Sequence, residues 1–318
     1  MASTENCAAA AAAAAPNAPR RHKKVVVIMG PTGCGKSKLS VDLASRFFPS
    51  SEIINSDKIQ IYTGLDVTSN KIPPPERRGV PHHLLGDCSP ADEFDAADFR
   101  AAASSAISQI SSRRNLPFVV GGSNSFVYAL LSRRFSPDAV AALSGDAGSA
   151  ALCRELRYSC CFIWVDVSPA VLNEYLGKRV DEMLEAGMLE ELAEYFAGPE
   201  SGRGGLEKTI GVPEFASYFE RYGSDWRLVH GDGDLEKRRA YEEAVRAVKE
   251  NTCQLAKRQL GKILRLRDAA GWELKRVDAT ATIRASMEGA GRRRVADAWE
   301  KDVVEPSVKA VKRFLIMD

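Results

Sequence analysis

Charge of one sign is scarce in this chain of 318 residues: 44 lysines and arginines stand against 42 aspartates and glutamates, a formal net charge of +2. A general coat for nucleic acid is thereby excluded, and any basic site must be local. Long apolar runs are missing too, and none approaches the roughly 20 residues that a membrane helix needs. Paired cysteines are missing as well. The seven are odd in number and scattered, none forms a C-x-x-C pair, and the four histidines offer no matching zinc spacing. That usage suits a reducing, intracellular chain with free thiols. What remains is ordinary, 45% hydrophobic and 27% charged, enough for a full core in one large domain or two. The first 24 residues are low-complexity: an alanine run, two prolines, then Arg20-Arg21-His22-Lys23-Lys24. Residues 1–22 read as a disordered or targeting tail. They leave plastid and cytoplasm unresolved, because the stretch is basic but short and contains Glu5.

The most informative segment is Gly30-Pro31-Thr32-Gly33-Cys34-Gly35-Lys36-Ser37. It follows the apolar run Val25–Met29 and opens a predicted helix, Lys38–Phe47, the strand–loop–helix setting that a phosphate loop requires. Its glycines let backbone N–H groups turn inward. The helix N-terminus adds partial positive charge, Lys36 a full one, and Ser37 a hydroxyl suited to Mg²⁺. Cys34 reads as a small neutral filler. A di- or triphosphate is expected here, but the loop does not say whose.

Short β-branched runs at Val25–Met29, Glu52–Asn55, Pro117–Val120 and Cys161–Asp166 read as buried parallel strands. Lys38–Phe47 and Ala96–Arg113 read as crossover helices. The fold class is therefore α/β, a P-loop NTPase-like parallel sheet with helices on both faces and an additional helical region. Phe135–Tyr158 is a short connection rich in alanine and serine. From Ser168, read as an N-cap before Pro169, the chain turns helical over Ser168–Ala186 and Met188–Phe196, broken at Gly187. Gly198–Gly205 reads as a loop, and Asp234 as the cap of a long helix to about Asp268. This gives a domain over 23–270, helical in about 168–234, and a helical appendage over 271–318.

Ligands gather at the carboxyl ends of such strands, where Asn55-Ser56-Asp57 and Gly121-Gly122-Ser123-Asn124 fall. Asp57 could ligate Mg²⁺, contact a base, accept a proton, or simply cap the next segment. Asp166 suits either metal support or a strand end, the latter favoured. His82-His83 read as loop histidines, since adjacent side chains diverge. The helix Thr252–Arg267 carries Lys257, Arg258, Lys262, Arg265 and Arg267 and no acid. A solvated face would normally include glutamate for i,i+4 pairing, so an anionic ligand is favoured.

Taken in order, several motifs resemble the isopentenyltransferase family across about residues 24–270. They are Gly-Pro-Thr-Gly-x-Gly-Lys-Ser, Asn-Ser-Asp-Lys-Ile-Gln-x-Tyr-x-Gly-Leu-Asp, Gly-Val-Pro-His-His-Leu, Ala-Ala-Asp-Phe, Val-Val-Gly-Gly-Ser-Asn-Ser-Phe and Ile-Gly-Val-Pro-Glu-Phe. The resemblance implies transfer of a prenyl group from dimethylallyl diphosphate to N6 of adenine. It implies that Gly33, Gly35, Lys36, Ser37 with Mg²⁺, Arg179 and Lys208 hold the donor's diphosphate. Asp57 would accept the N6 proton and Ser123 would sit near the bridging oxygen. Lys208 departs from the arginine often found there, keeping the charge but losing the bidentate fork.

Within the family the motifs look like the plant adenylate type rather than the tRNA type. The connection Phe135–Tyr158 is too short for an anticodon-arm insertion, and no C-terminal zinc finger is visible. The implied acceptor is then ADP or ATP, with AMP less preferred. It would be met by Thr32, Ser56 and Asp57, with Lys257, Arg258 and Lys262 facing its phosphates. The expected partners are these small molecules, with no nucleic acid, no membrane and a monomeric enzyme. A tRNA-modifying enzyme and a phosphate-loop kinase are the rival readings.

Overall fold

Apolar runs without alternation need burial on both faces, and a central parallel sheet provides it. A computed structural model describes residues 22–143, 152–199, 201–202, 204–227 and 235–317. It holds strands β1 (Lys24–Met29), β2 (Ser51–Asn55), β3 (His82–His83), β4 (Leu116–Gly121), β5 (Ser159–Asp166) and β6 (Leu274–Asp278). All pair in parallel, in the order β3-β2-β4-β1-β5-β6. Central β1 lies between β4 and β5, with Val26 beside Phe118 on one side and Cys161 on the other. Along β1 the side chains alternate between two cores: Val26 and Ile28 join one, Val25, Val27 and Met29 the other.

The helices are α1 (Lys36–Arg46), α2 (Ala96–Ser112), α3 (Asn124–Leu131), α4 (Pro137–Ala142), α5 (Pro169–Glu185), α6 (Met188–Ala197), α7 (Val212–Tyr222), α8 (Leu235–Asp268), α9 (Thr280–Met287), α10 (Arg292–Trp299) and α11 (Glu305–Ile316). Helix α2 starts where the Ala-Ala-Asp-Phe motif predicts. The Asp95 carboxylate accepts from Ala97 and Asp98 N–H, and Asp98 reaches back to Asp95 N–H in a closed capping box. Helices α5 and α6 part at Gly187, whose φ of 99° suits glycine. Ser168 stands before Pro169 as expected, but its hydroxyl makes no capping bond; its N–H instead donates to Thr280 Oγ1 at 2.8 Å. The cap expected at Asp234 and the tail over residues 1–21 lie outside the described residues.

A third core, separate from the two sheet faces, joins α5–α8 to Ile61, Tyr62 and Leu65 of the segment after β2. This is the additional helical region, roofing the carboxyl ends of β1 and β2. Two expectations change. The histidine pair is not loop but strand β3, with Ile53 beside His82. The segment after Gly271 is not an appendage: β6 completes the sheet against β5. Trp299, Val303, Val304, Val308 and Val311 are buried in the same core as α1. Strand β6 carries exposed Lys275 and Arg276, charges that suit a sheet edge and hide the strand from an apolar-pattern search.

Candidate active site

Where β1 ends, the loop Gly30–Gly35 folds back so that Gly33 and Gly35 adopt φ of 81° and 93°. Both conformations are open to glycine and strained for other residues. A Cβ on Gly35 would also stand 2.9 Å from the Trp299 ring, so the loop is packed from behind by the chain's last third. Lys36 Nζ donates to Pro31 O at 2.7 Å, keeping its charge over the loop. Cys34 is fully buried, and that burial pushes its thiol pKa up, leaving it an inert filler as expected.

Two residues past the end of β2, Asp57 is half-buried and its Oδ1 accepts from Ile59 N–H at 3.0 Å. Lys58 N–H donates to Ser123 Oγ at 3.0 Å, which joins this loop to the one after β4. Gly121 has no room for a side chain, since a Cβ there would strike Ser56. Among the described residues, Ser56 Oγ and Asn124 Oδ1 are buried here without a hydrogen-bond partner, as is Thr209 Oγ1 across the cleft. Unpaired buried polar atoms are disfavoured by about 1–3 kcal/mol each, and their gathering marks a site shaped for something other than stability.

A cleft of about 200 Å³ lies between these loops and the helical roof, lined among others by Thr32, Asp57, Lys58, Arg179, Lys208, Thr209, Arg258 and Gln259. Asp57 is the sole acid among its lining residues, against Lys58, Arg179, Lys208 and Arg258. Arg179 reaches the phosphate loop directly, Nη1 donating to Thr32 Oγ1 at 3.2 Å. It is half-buried but densely surrounded. Desolvation pulls its pKa down, while Tyr175, Cys34, Glu182 and Asp57 pull the other way. Such a cation gains most from an arriving anion.

The structure thus brings together Thr32, Asp57, Arg179, Lys208 and Arg258 in one cleft, with Ser56 and Ser123 tied to its wall. Lys257 and Lys262 are not among the lining residues; Lys257 is exposed about 100° round α8 from Arg258. Ser37 lines an adjoining hollow with Lys38, Asp42, Lys71 and Arg78. Asp166 is taken by Arg276, whose Nε donates to its Oδ2 at 2.7 Å, so it is a structural acid. The histidines are structural too, with His83 Nε2 2.7 Å from Glu52 Oε2. Among the described residues no cluster of His, Cys, Asp and Glu could hold a metal. Mg²⁺ often takes few protein ligands and completes its shell with phosphate and water. The exposed Ser37 hydroxyl beside Lys36 fits that mode.

Gln259 is the residue the sequence reading missed. Its Oε1 accepts the Thr32 N–H at 2.7 Å and its main-chain carbonyl accepts Asn124 Nδ2 at 3.0 Å. A signal existed: Ala256, Gln259, Ile263 and Leu266 are the buried positions in the last four turns of this helix, and glutamine is the polar one among them.

An IPP transferase family model matches residues 60–157 and 139–262. An adenylate isopentenyltransferase of Humulus lupulus is 53% identical over 91% of this chain and 89% of its own length. Adenylate isopentenyltransferase 1, chloroplastic, of Arabidopsis thaliana is 52% identical, over 94% and 83%. Among solved structures, a eukaryotic dimethylallyltransferase acting on tRNA superposes with a TM-score of 0.70 at 24% identity, covering 92% of this chain and 79% of that one. This last likeness speaks for the fold alone.

Proposed function

Since the chain belongs to the IPP transferase family, we infer that it transfers the dimethylallyl group of dimethylallyl diphosphate to N6 of an adenine nucleotide, ADP or ATP before AMP, the first step of cytokinin synthesis. The observation that carries the reading is the cleft itself, a cationic cavity with one carboxylate facing a phosphate loop. An exocyclic adenine amine is a weak nucleophile, because its lone pair is delocalised into the ring. Two forms of help are needed: a proton acceptor and a stabilised leaving group.

Asp57 takes the first role. As the N6–C1 bond forms and the C1–oxygen bond breaks, the N6 proton passes to its carboxylate and diphosphate departs. Lys36, Arg179, Lys208 and the N–H groups of the loop around Gly33 and Gly35 meet the charge that grows on the leaving oxygens. Ser123, whose Oγ accepts the Lys58 N–H, would donate its own hydrogen to the bridging oxygen. Ser37 would hold Mg²⁺ with the diphosphate, and the ion when bound neutralises charge there. Thr32, Ser56 and Arg258 would position the acceptor, Arg258 meeting its phosphates. Lys257 and Lys262 remain proposed only as more distant phosphate contacts along α8. Orientation of amine, C1 and oxygen supplies the rest.

We propose further that the enzyme acts as a monomer on these small molecules, without nucleic acid. Among the described residues no helix is long and apolar enough to cross a membrane. The Arabidopsis relative is chloroplastic by name, which favours the plastid over the cytoplasm. The test is product identification by mass after mixing protein, Mg²⁺ and dimethylallyl diphosphate with AMP, ADP, ATP or unmodified tRNA. Prenylated ADP and ATP are expected. Prenylated tRNA with no nucleotide product would overturn the reading in favour of RNA modification. ADP release from ATP without any prenyl donor would favour a kinase.

A further inference from the structure

Gln259 carries more than its position in a helix requires. A backbone N–H can only donate, so the 2.7 Å bond from Thr32 fixes which end of the carboxamide is oxygen. The amide nitrogen is then turned toward the loop after β4. It lies so close to Gly122 that a Cβ on that residue would collide with it. The side chain is 7% exposed, lines the cleft, and its Nε2 has no protein acceptor among the described residues. Unlike the shut-in Ser56 Oγ and Asn124 Oδ1, this nitrogen keeps access to the cleft, so its donor pair is available to an incoming ligand oxygen. Its neighbours on both sides, Thr32 and Gly122–Ser123, belong to the two loops that flank the proposed leaving group.

We propose that Gln259 is a donor-substrate residue with two functions. Its carboxamide oxygen holds the phosphate loop through Thr32, and its amide nitrogen hydrogen-bonds an oxygen of the prenyl donor's diphosphate. The inference rests on the functional reading above and names a contact that reading does not use. It also explains the glycine at 122: any side chain there would displace the amide from the path of the diphosphate. Because α8 also carries Arg258, one helix then touches both substrates, and seating the donor sets the register of the acceptor's helix.

The two functions separate by substitution. Gln259→Glu keeps an oxygen for the Thr32 N–H but replaces the donor group with a negative oxygen. Gln259→Met keeps length and loses both. Titration calorimetry with dimethylallyl diphosphate, and separately with ATP, reads binding without turnover, and thermal unfolding checks the fold. For Gln259→Glu the expectation is donor affinity weakened at least about 10-fold, the scale of one hydrogen bond to a charged group, with ATP affinity within about 2-fold. Gln259→Met should weaken the donor similarly and slow turnover further, because the loop is released. Donor binding equal to wild type in either folded variant overturns the proposal, as does weakening confined to ATP. Wild-type protein that fails to bind dimethylallyl diphosphate would overturn the functional reading itself, an outcome visible before any variant is made.

Discussion

Strand β2 is bracketed by two carboxylates with opposite surroundings. Glu52, near its start, is 4% exposed and fully engaged. Arg113 Nη2 donates to Oε2 at 2.7 Å, Asn115 Nδ2 to Oε1 at 2.8 Å, and His83 lies at 2.7 Å. Burial alone would push its pKa up, but Arg113, Asn115 and His83 together hold it at about 2. Asp57, just beyond the other end, is half-buried and held by main-chain N–H groups of its own turn. One acid is locked by partners that would have to leave before it could do chemistry. The other accepts only main-chain hydrogen bonds among the described residues. The difference teaches that the sheet's two ends are furnished differently, and that the number of committed partners separates a structural acid from the one proposed to react better than burial does.

The largest effect expected from breaking this contrast is at Asp57. Asp57→Asn retains the Oδ1 that accepts from Ile59 but removes the proton acceptor. Turnover should fall by about 10²–10⁴-fold while donor binding and the unfolding midpoint stay near wild type. Normal turnover in this variant would falsify the base assignment. Lys36→Ala removes a charge the diphosphate meets in both ground and transition states. Donor KM should rise and kcat fall, with kcat/KM down by about 10²-fold, read from initial rates.

Glu52→Gln should do the reverse, leaving kcat per folded molecule unchanged and lowering stability. The sign follows from the depressed pKa. With a folded value of about 2 against an ordinary 4.5, the carboxylate contributes stability that is complete above about pH 4.5 and lost as pH falls toward 2. Allowing for the partly exposed Arg113, the contribution is about 2–3 kcal/mol. Denaturant melts of both proteins at pH 7 and pH 3 should therefore show a gap that narrows at the lower pH. A constant gap would mean that shape rather than charge is at work.

The smallest effect is expected at Trp299. Its indole N–H donates to Asp42 Oδ2 at 2.8 Å, while Lys38 and Arg78 pair with the same carboxylate. Trp299→Phe keeps a ring behind Gly35 and loses one hydrogen bond, about 1 kcal/mol, measurable as a modest fall in melting temperature with a slight rise in donor KM.

Much of this arrangement was legible in the residues. The phosphate loop, strands β1, β2, β4 and β5, and helices α1, α2, α5 and α6 follow from apolar runs and turn residues that act locally, and their ends shift by a residue or two. The sheet's outer strands did not show. His82–His83 spans two residues, too few for any periodicity, and Leu274–Asp278 carries Lys275, Arg276 and Asp278, which break any apolar run. Asp57 and Arg179 were found because motif order names them. Gln259 was not, because its importance lies in Thr32 and Asn124, each more than a hundred positions away. One-signed charge along α8 does not tell its basic residues apart: Arg258 lines the cleft and Lys257 does not, a difference that only the packing of the helix reveals.

The indole behind Gly35 has a temporal implication. Synthesis delivers the phosphate loop long before Trp299, with β6 emerging shortly ahead of that ring. At roughly 5–20 residues per second the cradle would wait some tens of seconds for the ring that backs it. A nascent chain would therefore acquire competence late and all at once, and a premature stop upstream of Trp299 would release a molecule with its chemistry encoded but unsupported.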